Sequence, residues 1–236
     1  MNKSISVLLP GSFFEKDYQY KISYLSKNQV DCVYLFDHSV NPVDENRAVY
    51  DIKKALSLLQ ESHENNFKLG LCVLNINSRK KDLFFSNFIN PIMEIQDFRL
   101  GLGTGDNKYT DTTPKYAYDL DSIIFELISE YTFSLDGRNL FLGGTSQKKI
   151  ELVRKYSIGI NQWLGNSQDL INLSEDLPKK DPIFGKFSQC IKPSDVGTIL
   201  PDSFEKIIVL KDTNTKKFYS EVCLLYTSPS PRDSIR

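Results

Sequence analysis

The chain of 236 residues sets 29 lysines and arginines against 30 aspartates and glutamates, with no long block of either sign. This balance argues against nucleic acid or an anionic membrane as the main partner and leaves a small molecule or another protein. Four scattered cysteines (Cys32, Cys72, Cys190, Cys223) without a Cys-x-x-Cys spacing predict reduced thiols, neither a zinc site nor a disulfide scaffold. The N-terminal apolar run is too short for a signal-peptide core and no later window approaches a membrane span, so a cytoplasmic location is expected.

In chain order, short apolar or β-branched runs predict strands over 5–9, 30–36, 68–76, 98–103, 139–144, 157–165, 186–192 and 206–211. Stripes with helical spacing lie between most of them: Tyr18, Ile22, Leu25; then Val49, Ile52, Leu56, Leu59; then Phe84, Phe85, Phe88, Ile89, Ile92. Leu120, Ile123, Ile124, Leu127 and Ile128 make a fourth stripe, and Ile150, Val153 and Tyr156 a shorter fifth. Alternating strand and helix implies parallel pairing through right-handed crossovers, and eight strands favour a (β/α)8 TIM-type barrel over a doubly wound sheet. Between 192 and 206 two prolines and a glycine stand where a crossover helix belongs, so the barrel is expected to be degenerate or incomplete in its C-terminal third. Residues 1–223 read as one barrel domain. Residues 224–236, LLYTSPSPRDSIR, lack apolar periodicity and read as a cloning or read-through scar or as a disordered tail.

In a parallel barrel, chemistry is sought where strands stop. The second run ends at Asp37-His38, and with only two histidines in the chain one at a strand end is informative, because imidazole titrates near neutrality. Asp37 either orients the ring or caps the following loop; His63, in QESHENN, reads as a solvated surface residue. The stretch FRLGLGTGD places Gly101, Gly103 and Gly105 at alternate positions. That spacing misses the dinucleotide fingerprint, leaving a tight strand end or a cofactor-facing loop of another kind. A further run ends at Gly143-Gly144-Thr145-Ser146 and opens a helix, which suits a phosphate, or equally a plain helix cap by Thr145 or Ser146. Lys148 and Lys149 either add charge there or face solvent.

Together VDCVYLFDH, FRLGLGTGD and NLFLGGTSQKKIELVRKYSIGINQW resemble the luciferase-like flavin monooxygenase family, which includes the deazaflavin-dependent reductases and dehydrogenases. Arg99 falls where that family has an arginine before its glycine strand, and Asp106 where an acidic residue often follows. The resemblance implies FMN or a deazaflavin (coenzyme F420) in the barrel mouth and a non-proline cis peptide near Cys72-Val73. It further implies Gly103, Thr104 and Gly105 beside the ring, and Gly143, Gly144 and Thr145 on the phosphate. His38 becomes the implied proton donor or acceptor with Asp37 its orienter, in an oxidoreductase acting by hydride transfer or monooxygenation on a small organic substrate, and a homodimer is implied by the same analogy. The chain departs from the family after the third strand, where INSRKKDLFF replaces the usual proline-containing segment, and in MEIQDFR, which lacks the usual glycine. These departures keep open a non-catalytic barrel that binds flavin or another phosphorylated ligand, and a barrel enzyme acting on a sugar phosphate.

Overall fold

A computed structural model describes residues 5–38, 41, 49–62, 66–105, 116–131, 139–177, 185–211, 218–220 and 222. His63, Asp106, Cys223 and the segment 224–236 lie outside the described residues. The apolar runs form eight strands: β1 (Ile5–Leu8), β2 (Cys32–Leu35), β3 (Lys68–Asn75), β4 (Arg99–Gly103), β5 (Leu140–Gly143), β6 (Gly159–Trp163), β7 (Phe187–Ile191) and β8 (Glu205–Val209). They pair in chain order, all parallel, and β8 closes on β1 from Ile5↔Lys206 to Leu8↔Val209. Around them lie α1 (Tyr18–Lys27), α2 (Ile52–Gln60), a composite segment of α3 (Lys81–Phe84), a π turn (Phe85–Ile89) and α4 (Asn90–Met93), then α5 (Leu120–Glu130), α6 (Gln147–Tyr156) and α7 (Ser167–Asp176). No described helix is long and apolar enough to cross a membrane.

The helical stripes seat themselves as amphipathic faces should. Ile22, Leu25, Ile52, Leu56, Leu59, Ile123, Ile124, Leu127 and Val153 are buried against the outward faces of the strands. Val49 is the exception: it precedes α2, whose cap is Asp51 accepting the Lys54 N–H at 3.0 Å, and it is exposed.

The expected weak point behaves differently from an incomplete barrel. Between β7 and β8 a 3₁₀ turn (Pro193–Asp195) replaces the crossover helix, yet the barrel closes. A crossover has only to cover the sheet and return the chain. Here buried Pro193 and Leu200 take part in the covering, and Lys206 Nζ ties the turn down through the Val196 carbonyl at 3.1 Å. The connection is degenerate; the barrel is not incomplete.

Inside the barrel the amino-terminal end is polar. Arg99 of β4 donates to Glu205 of β8 and, at 2.8 Å, to Asp31. Glu205 also accepts from the Ser6 hydroxyl and from the Tyr34 phenol at 3.1 Å. Ser6, Tyr34, Arg99 and Glu205 are all buried, so each charge or hydroxyl needs these partners. Burial pushes the Asp31 carboxyl up, but the adjoining Arg99 guanidinium outweighs it and holds the group below the usual carboxylate range.

Two outcomes are expected. Glu205→Gln leaves Asp31 as the remaining anionic partner of Arg99 and lowers stability by about 1.5–3 kcal/mol, seen as a lower urea midpoint at unchanged slope. Because the folded pKa of Asp31 is depressed, its contribution is present above an unfolded value of about 3.9 and is lost as pH falls through the folded one. Asp31→Asn should therefore be less stable than the parent at neutral pH, the gap closing in acid-unfolding curves as pH falls below the unfolded value of about 3.9.

Candidate functional site

At the carboxyl ends of the strands a cavity of about 420 Å³ opens among Phe36, His38, Cys72, Val73, Asn75, Gly103, Thr104, Gly105, Gly143, Gly144, Lys149, Asn161 and Trp163. This lies within the roughly 300–1,000 Å³ of small-molecule sites. Its floor begins at an irregularity in β3, where the register to β4 shifts between Leu71 and Leu74. Leu71 and Leu74 both pack on the outer core, whereas the two residues between them, Cys72 and Val73, both line the cavity. The peptide joining Cys72 to Val73 is cis and involves no proline, at the bond that the resemblance implied.

Space for that floor comes from glycine on the neighbouring strands. A Cβ on Gly103 would stand 2.6 Å from one methyl of Val73, and a Cβ on Gly143 2.7 Å from the other. Val73 thus fits between β4 and β5 because neither presents a side chain there. One layer lower, a Cβ on Gly101 would meet the Phe141 ring at 2.4 Å. Gly103, Thr104 and Gly105, the residues expected to let a ring approach the backbone, all line the cavity, and the space directly over Gly103 and Gly143 is taken by Val73.

Of the residues expected on a phosphate, Gly143 and Gly144 line the cavity, the Gly144 N–H donating to the Asn161 carbonyl at 2.8 Å, while Thr145 is exposed and is not among the lining residues. Ser146 stands at the N-cap of α6 but its side chain makes no cap bond. The positive charge at this corner comes from Lys149, whose ammonium donates to the Gly143 carbonyl and lines the cavity. The Ile150 N–H bonds back to the carbonyl of Ser146, the N-cap of α6. Among the described lining residues Lys149 carries the fixed positive charge, and none is a carboxylate.

Asp37 does not line the cavity either. Its two oxygens accept from the Arg79 guanidinium at 2.8 and 2.9 Å, and one also accepts from the Asn75 N–H at 2.9 Å. The carboxylate is thus engaged by β3 and the loop after it, the loop-holding alternative of the two readings of Asp37. His38 itself lines the cavity, its ring centroid 6.0 Å from that of Phe36. Phe36 is steadied by Tyr50, whose hydroxyl accepts the Phe36 N–H at 2.8 Å.

Cys72 and Cys190 bring their sulfurs to 3.8 Å beneath the cavity. Their mutual hydrogen bond and burial push the Cys72 thiol above the ordinary range, so it is a protonated, unreactive part of the floor. Sequence reading did not single out Phe36, Asn75, Asn161 or Trp163. A usable signal existed: Tyr34 and Phe36, like Asn161 and Trp163, are two apart at strand ends, and period-two facing carries both members of each pair inward.

No protein-family model matches the chain, and no curated protein matches it in sequence. Solved structures do. An F420-dependent secondary alcohol dehydrogenase in complex with an F420–acetone adduct is similar with a TM-score of 0.59 at 14% identity, over 95% of this chain and 82% of that one. The coenzyme F420-dependent tetrahydromethanopterin reductase of Methanopyrus kandleri gives 0.63 at 10% identity, over 96% and 98%. The FMN-bound oxygenating constituent of 3,6-diketocamphane monooxygenase of Pseudomonas putida gives 0.52 at 10% identity, over 79% and 67%. At these identities the likeness establishes a shared barrel fold.

The Val73 fit has a direct check. Gly103→Ala should lower the melting temperature, and Val73→Ala in the same chain should recover part of the loss, because the close contact is to a Val73 methyl while its Cβ stands 3.6 Å away.

Proposed function

We propose that the chain is an oxidoreductase that holds FMN or a deazaflavin in the barrel mouth and acts on a small organic substrate by hydride transfer or monooxygenation. The observation that carries this reading is the cavity's composition: apolar and aromatic walls, two stretches of bare backbone, and one fixed cation at a helix N-terminus. A planar heterocycle with an anionic tail matches those parts in kind. Phe36, Val73 and Trp163 would hold the ring, Asn75 and Asn161 would offer it hydrogen bonds, and Lys149 at the start of α6 would hold the anionic tail. The fold shared with F420- and FMN-dependent enzymes supports the same assignment.

When bound, the cofactor supplies the redox chemistry; the protein supplies binding, orientation and exclusion of water. His38 holds or moves the proton that accompanies the reaction, being the imidazole among the lining side chains. The engagement of Asp37 with Arg79 favours a second reading, a barrel that binds the cofactor without turning it over, since both oxygens of the neighbouring carboxylate are held by Arg79.

Trp163 is the single tryptophan of the chain and lines the cavity, so its emission reports occupancy. FMN should quench it saturably. Lys149→Ala should weaken FMN by about 1.5–3 kcal/mol, roughly ten- to a hundredfold, and barely affect riboflavin, which lacks the phosphate. Equal losses for the two ligands would remove Lys149 from the tail-binding role, and no saturable binding of FMN or deazaflavin would end the proposal. His38→Asn should abolish turnover while leaving the FMN titration unchanged; a parent protein that binds but shows no turnover across donor and substrate panels would select the binding-only reading.

A further inference from the structure

The ladder between β2 and β3 runs from Cys32↔Lys68 to Leu35↔Leu71 and stops there, just before the irregularity at Cys72-Val73. Yet the residues that β3 and the carboxyl end of β2 contribute to the cavity, Phe36, His38, Cys72, Val73 and Asn75, all lie beyond that last pair. Something other than main-chain pairing has to set the distance between these two strand ends. The Asp37 carboxylate stands in that place. It takes the Asn75 N–H at 2.9 Å as a main-chain carbonyl would, and both its oxygens are gripped by the Arg79 fork.

Arg79 is itself fixed from three directions. It is bidentate on Asp37, it donates to the Asn75 carbonyl at 3.2 Å, and its guanidinium lies over the Phe88 ring at 4.1 Å from the centroid. The pair is shielded, with side-chain exposures of 17% and 15%, so screening weakens it less than a surface pair. A planar fork stacked on an aromatic ring is a geometry that lysine cannot copy.

We propose that Arg79 is a positioning residue: through Asp37 it locks the carboxyl ends of β2 and β3 together and fixes where His38 and Asn75 stand in the cavity wall. The proposal assigns Asp37 to anchoring, and it rests on the reading of the cavity as a cofactor site only for its effect on binding. Along 36–38 the assignment follows the strand period, Phe36 and His38 lining the cavity and the residue between them serving the latch.

With two histidines in the chain, the imidazole resonances of the ligand-free protein are few, and His38→Gln assigns that of His38. Arg79→Met should shift or broaden the His38 resonance while the Trp163 indole signal, from β6 on the far side of the barrel, stays in place. Asp37→Asn should reproduce the change, the double variant should be no worse than either single one, and Arg79→Lys should fail to restore the parent spectrum. FMN affinity should fall by about tenfold in each variant. If Arg79→Met does not fold, Asp37→Asn and Arg79→Lys carry the same readouts. An unchanged His38 resonance in the folded variants, or full restoration by lysine, overturns the proposal. Failure of the parent to bind FMN or a deazaflavin would overturn the cofactor reading instead, while the His38 resonance still decides the latch.

Discussion

The Arg99 side chain reaches from β4 across the amino-terminal end of the barrel to Glu205 on β8, tying together strands from the two halves of the chain. Burying such a pair is costly unless its remaining donors and acceptors are met. Asp31, Ser6 and Tyr34 do so from β1, β2 and the turn between α1 and β2. This closed polar plug fills one end with groups that bond to one another. The opposite end is free of that requirement, and it is there that the barrel stays open.

Above the plug, large and small residues share each level of the interior. The Phe141 ring takes the room left by Gly101, and Val73 takes that left by Gly103 and Gly143. The filling stops at Val73, because the next side chains, Phe36, Asn75 and Trp163, stand at strand ends where the barrel mouth widens. The cavity is thus a consequence of close packing beneath it. Its chemistry follows from position: backbone and apolar surface at the floor, amide groups on the walls, a cation where α6 begins.

The same distinction separates support from contact at the rim. Asp37 and Arg79 sit behind the wall, and His38 and Asn75 in it. Neighbours in sequence therefore do different work, since alternate residues of an extended chain face opposite ways.

The sequence by itself determined the elements: the eight runs and the stripes between them encode the alternation of strand and helix and the facing of the core residues, local properties of strand and helix period. It also placed His38 and the glycines at strand ends, and its departure from a crossover helix between 192 and 206 is a real one. Only tertiary structure decided what those residues touch. That Gly103 serves Val73, that Asp37 belongs to Arg79, that the Gly144 N–H is taken by Asn161 while Lys149 turns inward, and that Glu205 answers Arg99 all depend on side chains brought together from distant strands. Period fixes the direction in which a side chain leaves the backbone; the partner it meets is set by how eight strands close, which no local pattern contains.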